Sequence, residues 1–363
     1  MQLGYFTMPL HPKERDYRET LREDREAILL AERLGFVEAY VGEHVTDACE
    51  TITNCLMFIA SLAHETSRIR LGSATVNLPN RHPAMVAAEV AMLDNLLDGR
   101  FLFGISQGGL VSDAEMFGSL DRDRVAMLVE SIDHILALWT GEPPYVREGE
   151  FWKLGVPRTL IAEIGQGVMV KPLQQPHPPI LVTVTAPFSK GLVSATARGW
   201  HGISANFLQP NWVGSHLKMI EKGAAEAGRA ADLSTWRVAK SIFVAEDEAT
   251  AKRYAKGHDG PYAYYFRNLF RKLQASKRSE LFKHDRAMPD EAVTLDYILD
   301  SLVVCGTPER VTDQLLAFRE RVGPFGTLLY CGHDWQDPKL GRRSMELMAE
   351  KVLPAINKAL GEG

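Results

Sequence analysis

The chain has 363 residues, 45% hydrophobic and 24% charged, with 41 Lys and Arg against 46 Asp and Glu for a formal charge of −5. That is the composition of an ordinary globular protein, and it excludes a disordered chain, a coiled coil and a collagen. The mild acidity gives no electrostatic ground for nucleic acid or an anionic membrane as partner.

No apolar run approaches the roughly 18 residues that a membrane helix needs. The N-terminus, MQLGYFTMPLHPKERD, has no basic start followed by an apolar block, so no signal peptide is expected. Cys49, Cys55, Cys305 and Cys331 are too few and too irregular for a disulfide framework or a cysteine-rich zinc site. They read as reduced thiols, and the expected location is cytoplasmic.

Short apolar runs alternate with helical patterns along the chain. The first strand is expected at LGYF. Leu21, Ile28, Ala31 and Leu34 then fall on one helical stripe, with Gly35 as its stop. EAYVG and IRLGSATV are the second and third strands. Pro83 opens a helix with Val86, Val90, Leu93 and Leu97 inward and Gly99 at its end. FLFGIS is the fourth strand. Val125, Leu128, Ile132, Leu136 and Trp139 make the next stripe, closed by Gly141. Residues 142–179, rich in Pro and Gly and including KPLQQPHPPI, read as an extended insertion. ILVTVT, GISANF and WRVAKSIFVA are strands five to seven. Residues 258–298, with PYAYYFRNLFRKLQASKR, read as a lid-like excursion. Thr307 caps and Pro308 starts a helix with Val311, Leu315, Phe318 and Val322 on one side, and GTLLYC is the eighth strand.

Strands that are short and apolar on both faces, alternating with helices, predict one (β/α)8 TIM barrel domain over residues 1–363. An open doubly wound sheet is the alternative. Against it, no G-x-G-x-x-G follows the first strand and no phosphate-loop motif occurs.

In such a barrel the chemistry sits at the C-terminal ends of the strands. The residues there are Phe6 and Thr7, Glu43 and His44, Thr75 and Asn77, Ser106 and Gln107, Thr183 and Thr185, Ser204 and Asn206, and Tyr330 and His333. The set is mostly neutral, with one well-placed histidine and few carboxylates. No H-x-H or H-E-x-x-H occurs, so no metal site is expected. Facing carboxylates for a glycosidase and a G-x-S-x-G nucleophile elbow are missing too. What remains suits an uncharged, partly apolar organic group with one anionic tail, such as flavin mononucleotide.

Each candidate has a plainer reading beside it. Ser189 and Lys190 open a helix after strand five, where free N–H groups favour an anion, but a serine there is equally an ordinary cap. His44 carries the side chain that exchanges protons near neutrality, or it orders its loop. Glu43 orients His44 or anchors backbone. Tyr262, Tyr264, Tyr265, Phe266 and Phe270 either close a lid or pack a helix against the barrel. His333 is placed to reach a substrate, and His82, before Pro83, reads as structural.

Four segments then run in a familiar order: GEH, LPNRHPAMVAAEVAMLDNLLDGRFLFGISQG, KPLQQPHPPI and VVCGTPERVTDQL. With them the chain resembles the bacterial luciferase-like, flavin-dependent monooxygenases, and within these the group of the diketocamphane and limonene monooxygenases. The resemblance implies a barrel, usually a homodimer, that takes reduced FMN (FMNH2) from a separate NAD(P)H:flavin reductase. It implies O2 as co-substrate, with one oxygen atom passing to a small, largely apolar substrate, a ketone or terpenoid-like compound being favoured. It also implies that His44 is catalytic, facing the reactive edge of the flavin, with Glu43 beside it. Phe6, Ala74 and Thr75 match positions lining the ring, and the Ala74–Thr75 bond matches a place where some relatives carry a non-proline cis peptide. Gln107, Thr185 and Ser189 match the region of the phosphate and ribityl chain, with Ser106 and Thr183 as further cofactor-binding residues.

Two departures stand out. Luciferase has an arginine where this chain has Gln107, which makes Lys190 the candidate for the phosphate's counter-charge. Many relatives carry a second histidine after EH, and here the run is GEHVTDACE. Two other functions fit the same barrel: a deazaflavin-dependent oxidoreductase that transfers hydride without O2, and a non-catalytic flavin-binding protein.

Overall fold

The computed structural model describes residues 1–7 and 10–361. The fold is a (β/α)8 barrel. Its strands are β1 (Gln2–Thr7), β2 (Glu38–Val41), β3 (Arg70–Ser73), β4 (Phe101–Ser106), β5 (Ile180–Val184), β6 (His201–Ser204), β7 (Arg237–Val244) and β8 (Thr327–Gly332). Each coincides with one of the eight apolar runs. The helices that matter below are α1 (Tyr17–Arg33), α2 (Pro83–Leu96), α3 (Val111–Met116), α4 (Arg124–Thr140), α5 (Lys190–Ala197), α6 (Pro210–Glu226), α7 (Pro261–Ala275) and α8 (Pro308–Val322).

The residues group into two compact units. The larger comprises Met1–Tyr40, Ala48–Thr51 and Val182–Gly363, and the smaller Val41–Asp47 and Ile52–Leu181.

In the larger unit, β1 and β8 pair in parallel from Gln2 opposite Thr327 to Thr7 opposite Gly332. β7 is long enough to serve two neighbours in series. Arg237–Ser241 pair with β8, and Ser241–Val244 pair with a short extra strand, Val303–Gly306. No separate strand was expected there. A four-residue apolar run directly before the Thr307 cap cannot be told from a helix approach by pattern alone. At the N-terminal ends of their strands, Arg237 donates to both carboxylate oxygens of Glu38, at 2.8 and 3.0 Å, with both side chains buried. Removing one partner of such a pair strands a charge and typically costs about 3–5 kcal/mol.

In the smaller unit β3 pairs with β4, Leu71 opposite Phe101. The approach is close enough that a Cβ on Gly104 would lie 2.0 Å from the Ser73 carbonyl oxygen. Ser73 Oγ closes the same contact, donating to Gly104 O at 2.8 Å and accepting from Gly104 N at 3.0 Å. Within residues 142–179 the chain forms a small hairpin, Arg147–Glu148 against Lys153–Leu154. Gln174, from KPLQQPHPPI, then fastens this segment to α2: its backbone N–H and side-chain amide donate to Asp94 at 2.8 and 2.7 Å.

The helix stripes hold at Val86, Val90, Leu93 and Leu97, and at Val311, Leu315, Phe318 and Val322, all buried. On α4 the stripe is turned. Val125 is exposed and Leu128 and Leu136 are half-buried, whereas Met127, Ser131, His134, Ile135 and Leu138 join Ile132 and Trp139 inside. Trp139 fixes that rotation by donating Nε1–H to the Ala87 carbonyl at 3.0 Å. This helix is apolar on several faces, so periodicity alone left its angle open.

Candidate active site

Two neighbouring constellations form in the smaller unit, at the C-terminal ends of β2, β3 and β4. The first is built on His44 and Asp113. His44 Nδ1 lies 3.1 Å from Asp113 Oδ2. Asp113 sits in α3, just after β4, and is itself held by the loop it serves. It accepts from the backbone N–H groups of Val45 (3.2 Å) and Thr46 (2.8 Å) and from the Thr46 hydroxyl (2.6 Å). Burial alone would raise its pKa, but the hydrogen bonds from His44 and Thr46 prevail and hold it down at about 2. Asp113 is therefore a carboxylate throughout the neutral range. An anionic acceptor at Nδ1 makes that nitrogen the protonated one and fixes the ring's orientation.

Glu43 does not perform this task. Its Oε2 accepts from Cys55 N–H at 3.0 Å and its Oε1 faces Asn77 N–H at 3.5 Å, so it anchors the backbone after β3 and the start of the helix Cys55–Ala60. The residue that orients His44 is Asp113, which the sequence reading did not include. Its signal was an acid in the first turn of a short helix after strand four, a position where an acid is usually no more than helix-dipole stabilisation.

The second constellation is neutral. The Ala74–Thr75 peptide is cis. Thr75 Oγ1 donates to Ser106 Oγ at 2.7 Å, Ser106 Oγ donates to Asn77 Oδ1 at 2.8 Å, and Gly108 N–H donates to Ser106 Oγ at 3.0 Å. Thr75, Asn77 and Ser106 thus form one hydroxyl–amide network from β3 and β4. Gln107 is exposed on the loop that follows, and Arg124, at the start of α4, donates to the Gly108 carbonyl at 3.0 Å. A cation therefore does stand against the SQGG loop, supplied by a residue sixteen positions on.

Apart from His82, the remaining candidates belong to the larger unit. Phe6, Thr183 and Thr185 are half-buried at the ends of β1 and β5. Ser189 caps α5, its Oγ accepting from Leu192 N–H at 3.2 Å, and Lys190 is exposed in the first helical turn. Of the aromatic residues of α7, Tyr262, Tyr265 and Phe266 are buried, with Tyr262 donating its hydroxyl to the Ile242 carbonyl at 2.5 Å. They pack the helix onto the unit. His333 lies beneath Tyr262 and Tyr265, with ring centroids 4.3 and 4.6 Å away and Nε2 at 3.0 Å from Ser241 Oγ. Burial pushes its pKa down to about 3, so this imidazole is neutral. His82 is structural, accepting from Ala84 N–H as the N-cap of α2.

One acidic cluster invites a metal reading: His11, Glu23 and Asp334 lie within ligand distance of one another. The donors are already engaged. Burial disfavours a charged His11, yet Asp24 and Asp334 flank both ring nitrogens, at 3.2 and 2.6 Å, and push its pKa up to about 10. Arg15 bridges Glu23 at 2.8 Å and Asp334 at 2.5 Å. This is a buried ion-pair network with an imidazolium and a guanidinium at its centre.

The family model described as luciferase-like monooxygenase matches residues 1–323. The chain belongs to the luciferase-like monooxygenases. It is 30% identical over 362 residues to limonene 1,2-monooxygenase of Rhodococcus erythropolis, covering 99% of this chain and 88% of that protein. Among solved structures, the FMN-complexed oxygenating constituent of 3,6-diketocamphane monooxygenase from Pseudomonas putida, a type II Baeyer–Villiger monooxygenase, superposes with a TM-score of 0.87. Its identity is 27%, with 98% of both chains covered. A shorter match, 36% identical over 162 residues and covering 44% of this chain and 42% of that protein, is to the oxygenase component of the flavin-dependent trigonelline monooxygenase of Acinetobacter baylyi. This luciferase-like monooxygenase is thus an oxidoreductase on a TIM barrel. Among the described residues no helix is long and apolar enough to cross a membrane.

Proposed function

We propose that the chain is the oxygenase component of a two-component system that uses reduced FMN and O2 to oxygenate a small, largely apolar substrate, a ketone or terpenoid-like compound. The carrying observation is the His44–Asp113 pair: a histidine with one ring nitrogen committed to a buried carboxylate, at a strand's C-terminal end, beside a network of neutral hydroxyls and an amide. The relatives add the substrate class, since one is named for limonene and another for a diketocamphane.

The donor set fits a flavin. In the smaller unit, Thr75, Asn77 and Ser106 offer uncharged donors and acceptors suited to the polar edge and ribityl hydroxyls, and Gln107 adds an amide. In the larger unit, α5 opens on Ser189, and its first backbone N–H groups, those of Lys190 and Gly191, precede any intrahelical acceptor and suit an anionic tail. Phe6, Thr183 and Thr185 are half-buried, as residues in contact with a bound ring or chain should be.

When bound and reduced, FMN supplies the two electrons that split O2 between substrate and water. The protein's share is to bind, to exclude water and to manage one proton. His44 holds that proton within a ring whose Nδ1 is tied to Asp113, so orientation and tautomer are set before substrate arrives. Glu43 keeps the backbone around His44 in place through Cys55 and Asn77.

Two partners follow. With no dinucleotide fingerprint in the sequence, electrons come from a separate NAD(P)H:flavin reductase, as the naming of the trigonelline relative as an oxygenase component supports. A second copy of the chain is the other. Along α2, Met85, Met92 and Leu96 share one face and are 58%, 63% and 39% exposed, while Met57 on the neighbouring helix Cys55–Ala60 is 72% exposed. Such a run of exposed apolar side chains marks an interaction surface, and a homodimer covers it.

The test is O2 uptake with photoreduced FMN across ketones, terpenes and aromatics. Substrate-dependent uptake and an oxygenated product are expected, and reduction of a deazaflavin instead would overturn the reading. NADH with FMN but no reductase should give almost no turnover.

A further inference from the structure

We propose that His216 is a positioning residue for the phosphate of FMN: from α6 it pins the turn Ala186–Phe188 that aims the first turn of α5. The proposal rests on the reading of α5 given above.

One buried histidine takes no part in the proposed chemistry. His216 is fully buried in the face of α6, as are Ser204 at the end of β6 and Trp236 just before β7. Trp236 Nε1 donates to Ser204 Oγ at 2.8 Å, Ser204 Oγ lies 2.8 Å from His216 Nδ1, and His216 Nε2 lies 3.0 Å from the Ala186 carbonyl oxygen. An indole N–H can only donate and a carbonyl oxygen can only accept. The Ala186 carbonyl therefore takes its proton from Nε2, and a neutral ring leaves Nδ1 as an acceptor. Ser204 donates to Nδ1, and the proton of His216 sits on Nε2 and points at Ala186. Burial pushes the His216 pKa down to about 4, so at neutral pH the ring carries this one proton.

Besides the edge-on contact of the Trp212 ring with Phe188, the hydrogen bonds from α6 to the turn come from two adjacent residues. Ser215 Oγ accepts from Phe188 N–H at 3.0 Å and donates to the Trp212 carbonyl at 2.6 Å. Phe188 has φ +51°, in the left-handed region that a non-glycine residue adopts only when its surroundings hold it there. Ser215 and His216 are those surroundings: one holds the N–H and the other the carbonyl two residues earlier. The next residue is Ser189, the cap of α5, so the direction in which α5 presents its free N–H groups is set by how firmly the turn is held. A leucine at position 216 would fill the core as well, but it would leave the Ala186 carbonyl and the Ser204 hydroxyl without this partner.

The test separates the phosphate from the rest of the flavin. FMN and riboflavin differ only in that group, and binding of each is followed by quenching of flavin fluorescence. The parent should prefer FMN. His216→Phe should lose about tenfold in FMN affinity, the equivalent of one hydrogen bond's worth of alignment, with riboflavin affinity changed less than about twofold. His216→Gln, which keeps a donor for Ala186, should recover most of the loss. A general packing defect would weaken both flavins alike, so an unchanged FMN-to-riboflavin ratio in His216→Phe overturns the proposal. Should that variant fail to fold, Ser215→Ala, which releases Phe188, carries the same expectation and the same refutation. A parent without preference for FMN would instead overturn the reading of α5 as the phosphate end.

Discussion

Asp113→Asn is the most informative change, because it alters what His44 feels while altering almost no volume. Four donors converge on the Asp113 carboxylate: two backbone N–H groups, the Thr46 hydroxyl and the His44 ring. Asparagine keeps one oxygen for Thr46 and Val45 but presents an NH2 group to His44. The three bonds to the loop lose their charge assistance, which at about 0.5–1 kcal/mol each comes to about 2 kcal/mol, a few degrees in Tm for a chain of this size. The functional effect should be larger. An amide donor at Nδ1 forces that nitrogen to accept, moves the proton to Nε2 and reverses the tautomer. Misplacing a general acid or base costs about 100-fold or more, so kcat should fall about 100-fold while KM for reduced FMN stays within about threefold. The assay is O2 uptake with photoreduced FMN and the best substrate of the screen. His44→Asn and the double variant should be equally slow, since Asp113 works only through His44. A kcat within about twofold of the parent in Asp113→Asn, with both proteins folded to the same extent, would show that the orientation of His44 carries no chemistry.

The other predictions test position by position. Glu43→Gln should behave as a stability variant, lowering the urea midpoint by about 1–2 kcal/mol of unfolding free energy with kcat largely kept, because Glu43 holds backbone and not His44; a loss of kcat as deep as that of Asp113→Asn would contradict this. His11 has its pKa raised to about 10 by Asp24 and Asp334, so its contribution to stability is fully present below its unfolded pKa and is lost as pH rises through 10. The slope is at most about 1.4 kcal/mol per pH unit, the value for one bound proton. Thermal melts between pH 6 and 10 should show that decline in the parent, and His11→Gln should flatten it. Gly104→Ala puts a methyl group 2.0 Å from the Ser73 carbonyl and should cost more than about 3 kcal/mol or abolish soluble expression. Met92→Glu, on the exposed face of α2, should convert a dimer to monomer in sedimentation while leaving the far-ultraviolet circular dichroism unchanged; a parent that sediments as a monomer refutes that use of the face.

Much of this molecule was written in local pattern. The eight strands and the helices opened by Pro83 and Pro308 were legible because burial on both faces demands continuous apolar runs, and because proline and glycine mark helix ends whatever surrounds them. His44 stood out as a candidate for a related reason: a lone histidine directly after an apolar strand lies where a barrel places its chemistry. The rotation of α4 was not legible, since a helix with apolar residues on most sides has no preferred face until Trp139 finds the Ala87 carbonyl.

The partnerships were beyond any pattern. Asp113 reaches His44 across 69 positions, Gln174 reaches Asp94 across 80, and His11 reaches Asp334 across 323. By itself the chain determined which segments become strands and helices, because those follow from residue period and turn chemistry within a few neighbours. Which carboxylate meets which imidazole, and therefore which histidine is held neutral and which is held charged, was decided only by folding, because charge and hydrogen bonding act through space and sequence distance says nothing about them.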